Sequence, residues 1–208
     1  TATVHFIPLS GADRLEMTEH LVTGGTWSKV VAFSPAGDLL AVSNWLSEDV
    51  SIFSYPEKKL LAKVKIPGIP RGLVFAGGSL FVTNYSTGAL HRIDTSSWQL
   101  VESIDSPRQG ALRHAVAGQD PDLLFASDMR RARVYIYNLK DQKIETEIPV
   151  DRNPNTIALS PDGRYLFVSC RGPNAPETYL TRSPRSGELH VIDTICRKVV
   201  DRRVLGNQ

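Results

Sequence analysis

Three cationic residues and one amide, Lys29, Arg71, Arg113 and Asn155, stand at steps of 42 residues along the chain. Ammonium and guanidinium groups gathered in one place bind carboxylates or phosphates through charge-assisted hydrogen bonds. They gather only if the chain returns to an equivalent position every 42 residues. A second set, Trp45, Tyr85, Met129, Arg130, Arg131 and Arg171, adds aromatic rings and further cations at comparable intervals. His114, beside Arg113, is the one group of this set that titrates near neutrality and could serve as an acid or base on a bound anion.

Other chemistry finds less support. His5, His91 and His190 are too far apart in the repeat to coordinate one metal, and no metal site is assigned. No paired carboxylates, Ser-His-Asp set, phosphate loop or HExxH segment can be placed beside the cations, so no catalytic residue is assigned and no cofactor is expected. Cys170 and Cys196 form neither a disulfide framework nor a CxxC knuckle, and both are expected to be free thiols.

What positions these residues is an internal repeat. Leu40-Ala-Val-Ser-Asn44, Leu80-Phe-Val-Thr-Asn84, Leu124-Phe-Ala-Ser-Asp128 and Leu166-Phe-Val-Ser-Cys170 are short apolar strands that end in a small residue, and they recur at steps of 40, 44 and 42 residues. Each is preceded by another strand and a Gly- or Pro-bearing turn, as in Ser34-Pro-Ala-Gly-Asp38 and Ser160-Pro-Asp-Gly-Arg164. Each is followed by a third strand closing at Ser54, Asp94, Asn138 or Asp193, whose short polar side chains can cap the next turn, and then by a fourth. Four short antiparallel strands in each unit of about 42 residues predict an all-β chain built from β-propeller blades. A β-sandwich would not require the same quartet and turn to return four times. Trp27, Phe33, Val42, Phe81, Phe125 and Phe167 are expected to pack between blades, and Asn44, Asn84 and Asp128 to cap turns rather than form a polar site.

The composition agrees with a folded chain. Of 208 residues, 41% are hydrophobic and 22% charged. A net charge of +2 gives no global field to draw the chain onto nucleic acid or an anionic membrane, so neither is an expected partner. No apolar run approaches the roughly 20 residues that span a bilayer.

Phe81-Val-Thr-Asn84 and Ser160-Pro-Asp-Gly163 resemble the signature of the YVTN-repeat β-propeller family, and the likeness extends over almost the whole chain. Gly25-Thr-Trp-Ser-Lys-Val-Val-Ala-Phe-Ser-Pro35 and Asn153-Pro-Asn-Thr-Ile-Ala-Leu-Ser-Pro-Asp-Gly163 are similar to segments of bacterial members. The resemblance implies an extracytoplasmic protein, periplasmic or at the cell surface, and a seven-bladed ring. It implies no particular activity.

Residues 1–208 read as a single, incomplete propeller domain: a half blade at 1–24 with strands at Val4 to Ile7 and Leu15 to Val22, then blades at 26–68, 69–110, 111–152 and 153–208. Four and a half blades fall short of the seven-bladed ring, so the chain is expected to be part of a longer protein. Its open blade edges are expected to favour self-association.

Antiparallel order places the start of strand one and the loop between strands two and three on the same face. That face therefore carries Lys29, Arg71, Arg113 and Asn155 with Trp45, Tyr85, Arg131 and Arg171. The long segment Arg171 to Gly187 is added to it in the last blade, as a functional contact or a neutral insertion. The expected function is non-enzymatic: a binding or scaffolding surface for a protein, a glycan or a small anionic ligand. The competing readings are an enzyme of lyase or lactonase type at the central channel, and exposed loop residues whose stems pack on neighbouring turns.

Overall fold

The computed structural model of the chain describes residues 2–7, 19–178 and 180–206, and every regular element among them is a β-strand. β1 (Thr3–Phe6) and β2 (Glu19–Val22) form a two-stranded sheet; residues 15–18 of the second strand expected there lie outside the described residues. Four antiparallel sheets follow, each a simple meander. They are β3 (Ser28–Phe33), β4 (Leu39–Asn44), β5 (Asp49–Ser54) and β6 (Leu60–Lys65); β7 (Pro70–Ala76), β8 (Ser79–Asn84), β9 (Leu90–Asp94) and β10 (Leu100–Ile104); β11 (Leu112–Ala117), β12 (Leu123–Asp128), β13 (Arg133–Asn138) and β14 (Lys143–Pro149); and β15 (Pro154–Leu159), β16 (Tyr165–Cys170), β17 (Glu188–Asp193) and β18 (Lys198–Val204).

The turns have local causes. In the first and last full sheets the hairpin between strands one and two turns on Gly37 (φ 74°) and Gly163 (φ 70°), a left-handed conformation that a Cβ disfavours. Their N–H groups donate to the carbonyls of Ser34 and Ser160. After strand three, Asp94 accepts the N–H groups of Ser96 and Ser97, Asp193 those of Ile195 and Cys196, and Asn138 that of Asp141.

Period-two alternation in the second strand decides how the sheets stack. Leu80 and Val82 pack back onto the sheet before theirs, with Ala41, Val50 and Ile52. Phe81 packs forward, with Leu112, Leu124 and Ala126 of the next sheet. Phe125 likewise joins Ile157, Leu166 and Val168. The two-stranded sheet covers part of the opposite face of the first full sheet, where Val4, Phe6 and Leu21 meet Leu40, Val42 and Phe53.

Three of the six side chains expected between blades are not buried there. Phe81 and Phe125 are 3% and 2% exposed and Val42 is buried, but Trp27 is 55% exposed, Phe33 48% and Phe167 37%. Phe167 occupies the position of Phe81 and Phe125 and faces forward from the last sheet, where no further described sheet packs. Phe33 pairs with Leu40 on the face that the two-stranded sheet only partly covers, and its ring contacts Tyr55 edge-on at 5.0 Å. Trp27 lies on the surface, its ring beside that of Trp45. Cys170 and Cys196 are both free, the first buried and the second exposed.

Candidate functional site

The first strand of each full sheet lies innermost: β3 packs on β7, β7 on β11 and β11 on β15. Each of these strands breaks register at the same place. The irregularities fall between Ser28 and Val30, Pro70 and Leu73, Leu112 and His114, and Pro154 and Ile157. Lys29, Arg71, Arg113 and Asn155 are therefore bulge residues, and a bulge re-aims a side chain out of the regular alternation.

The bulges are pinned from strand two. Ser43 Oγ accepts the N–H of Val30 at 3.2 Å, Thr83 Oγ1 that of Gly72 at 2.7 Å, and Ser127 Oγ that of His114 at 3.3 Å. Two of these hydroxyls also reach the next sheet: Ser43 donates to the carbonyl of Arg71 and Ser127 to that of Asn155, both at 2.9 Å. These positioning residues escaped the sequence reading. Their signal was a small hydroxyl residue directly before Asn44, Asn84 and Asp128.

The result is an open cavity of about 560 Å³ on the face where strand one begins, lined among others by Lys29, Arg71, Arg113, Trp45, Tyr85 and Arg171. Six of the eight expected residues thus converge. Asn155 does not line the cavity; its Oδ1 accepts a hydrogen bond from Arg113 Nε and steadies that guanidinium. Arg131 also turns away, donating from Nε to the carbonyl of Gln109 at 3.2 Å, and the adjacent Arg130 lines the cavity instead. Asp128 caps this loop, its Oδ1 accepting both the Arg130 and Arg131 N–H groups. Asn84 caps its own loop in the same way through Ser86 and Thr87. At Cys170 no such cap is possible, and there the long segment replaces the tight turn, bringing Arg171 and Asn174 to the cavity wall.

The aromatic residues form one connected wall. Trp27 and Trp45 have ring centroids 6.3 Å apart, and Trp45 and Tyr85 4.8 Å. Lys29 Nζ sits 4.0 Å from the centroid of Trp27 and 5.5 Å from that of Trp45, and Arg71 Cζ 5.5 Å from that of Trp45. Trp27 is exposed because it stands at this rim as a cation support rather than between sheets.

Among the described residues the lining carries Lys29, Arg71, Arg113, Arg130 and Arg171, and no Asp or Glu. Burial and the neighbouring charges of Arg71 and Arg113 push the Lys29 ammonium below its ordinary value. Burial, aided by Arg71, brings Arg113 down to about 10. The Nε groups of Arg71 and Arg171 are buried without an acceptor. His114 lies beside the cavity rather than in its wall; burial lowers its pKa, and its Nδ1 accepts the N–H of Ile157 at 3.3 Å, so it is a neutral, internally bonded imidazole at pH 7. Of the remaining histidines, His91 bonds Asn84 and Ser103, and His190 bonds Glu188. Among the described residues no group of three or more His, Cys, Asp or Glu side chains is arranged to hold a metal ion.

Two solved structures share this architecture. Kuenenia stuttgartiensis hydrazine synthase superposes with a TM-score of 0.77 at 18% identity, over 90% of this chain and 52% of its own. The chain is a β-propeller. The dihydro-heme d1 dehydrogenase NirN in complex with DHE agrees, with a TM-score of 0.70 at 15% identity over 99% of this propeller and 44% of that chain. In sequence, the propeller is 39% identical over 194 residues to Antigen Lp49 of Leptospira interrogans serogroup Icterohaemorrhagiae serovar copenhageni (strain Fiocruz L1-130). That match takes in 88% of this chain and 42% of the antigen, so the propeller spans less than half of that relative's length. No family model matches the chain.

Proposed function

We propose that this propeller is a binding module whose basic cavity receives an anionic group carried by a protein, a glycan or a small ligand. The observation that carries the reading is the convergence of five cations on one cavity wall, with no carboxylate among the described residues that line it. Like charges held together in one cavity repel, and an entering anion relieves that repulsion while accepting hydrogen bonds from the guanidinium and ammonium groups of its wall. A charge-assisted hydrogen bond in such a site contributes about 1.5–3 kcal/mol, against about 0–1 kcal/mol for an exposed ion pair.

The Phe-Val-Thr-Asn and Ser-Pro-Asp-Gly segments support placing the chain among YVTN-repeat propellers. An extracytoplasmic location is part of the same proposal, and a relative named as an antigen supports it. The solved structures named as enzymes carry the fold alone at 18% and 15% identity. Exposed Tyr165 and Phe167 on the last sheet support self-association of this chain as a further proposal.

The test is a calorimetric panel of anions, each beside its neutral counterpart: an oligoglutamate and an oligoglutamine peptide, a polyuronate and a neutral glycan, phosphate and glycerol. Saturable binding confined to anions is the expected result. Equal binding of charged and neutral partners, or binding of none, would overturn the proposal.

A further inference from the structure

The wall of the cavity restricts which anion fits it. Lys29 stands 4.0 Å from the centroid of Trp27, and Lys29 and Arg71 each stand 5.5 Å from that of Trp45. The aromatic wall thus aims charge into the cavity. The cations approach the space from several directions. Lys29, Arg71 and Arg113 enter from three successive inner strands, and Arg130 and Arg171 from the loops of two different sheets. One carboxylate can neutralise one of these five and satisfy a single guanidinium fork, leaving most of the repulsion in place.

We propose, on the reading above that the cavity binds an anion, that its ligand is a compact oxyanion carrying several charges, with linked phosphoryl groups as the chemistry recognised. A terminal phosphoryl group brings about 1.5–2 negative charges and three acceptor oxygens, and each linked internal group adds about one charge and two more acceptors, which suits donors converging from different sides. Its charge density also exceeds that of carboxylates spread over a sugar chain. Asn174 already holds a terminal nitrogen of Arg171 at 3.1 Å, which steadies that guanidinium at the cavity wall. The volume of about 560 Å³ falls within the range of about 300–1,000 Å³ typical of small-molecule sites. Both an inorganic polyphosphate and the phosphate tail of an organic ester present this chemistry.

The experiment is calorimetry on the full chain at constant ionic strength with orthophosphate, pyrophosphate, tripolyphosphate, ATP, citrate and glucuronate. Affinity is expected to climb with the number of linked phosphoryl groups, tripolyphosphate binding at least tenfold tighter than orthophosphate and citrate. ATP binding as tightly as tripolyphosphate would place recognition in the phosphate chain, and tighter binding would add contacts from the nucleoside; both agree with the proposal. Arg171→Gln should reduce the advantage of tripolyphosphate over orthophosphate at least threefold while leaving the thermal transition in place. Citrate or glucuronate matching tripolyphosphate would overturn the phosphoryl assignment and leave anion binding standing. No heat with any of the six anions would overturn both.

Discussion

The hydroxyl of Ser43 donates to the carbonyl oxygen of Arg71, 2.9 Å away in the next sheet and 28 residues along the chain. The same hydroxyl accepts the N–H of Val30, so one buried oxygen fixes the bulges that present both Lys29 and Arg71. Ser127 repeats the arrangement with Asn155 and His114. The cations of the cavity are thus set by a hydroxyl on strand two as well as by their own strand.

Removing that oxygen leaves two backbone groups without their partner. Ser43→Ala is expected to destabilise the chain by about 1–3 kcal/mol and to weaken anion binding, whereas Ser43→Thr, which keeps a hydroxyl able to serve both Val30 N–H and the Arg71 carbonyl, should retain both. Urea unfolding with parallel calorimetry reads the two effects. Binding unchanged in Ser43→Ala would show that Arg71 is positioned without it.

Equivalent phenylalanines should differ sharply. In this 208-residue chain, Phe125→Ala should cost about 3–5 kcal/mol, because the ring fills the space between two sheets. Phe167→Ala should cost far less, its ring facing outward from the last sheet. Chemical denaturation of the two variants compares them, and equal losses would mean that both rings are covered.

The repeat made much of the fold legible. The returning Leu-Phe-Val-Thr-Asn segments located strand two of every full sheet, and the 42-residue step brought Lys29, Arg71 and Arg113 to one cavity. What stayed hidden depends on neighbours that period and composition do not name. Phe81 and Phe167 occupy the same repeat position, yet among the described residues a further sheet packs in front of Phe81 alone. Arg130 and Arg131 are adjacent and alike, and what separates them is the carbonyl of Gln109, which takes the guanidinium of Arg131 away from the cavity. Asn155 matches the cations in register, but being an amide it supports Arg113 rather than facing the cavity.

The two thiols should react in order. Burial pushes the Cys170 thiol up to about 12, with the carboxylate of Asp151 adding to the effect, while Cys196 is exposed. A thiol reagent at pH 8 should modify one cysteine in the folded chain and both in denaturant. Rapid modification of Cys170 in the native protein would contradict its placement.

Alkaline pH should release a bound anion. Lys29 and Arg113 have lowered pKa values in the free cavity, and an anion among them stabilises their charged forms. The complex therefore holds more protons than the free protein. Binding should take up protons, and affinity should fall as pH rises toward and through about 10, the value to which Arg113 is brought. Calorimetry in buffers of different ionisation enthalpy detects this uptake, and affinity independent of pH across that range would count against the participation of either group.

The central claim is that Arg71 and Arg113 recognise an anion from within the cavity. Its most direct measurement is a calorimetric titration of tripolyphosphate into the wild-type chain and into Arg71→Ala with Arg113→Ala, at two salt concentrations. Binding in the double variant is expected to be at least tenfold weaker, with a shallower salt dependence and an unchanged β-rich circular dichroism spectrum. Measurable wild-type binding with the same affinity and salt slope in both proteins would contradict it.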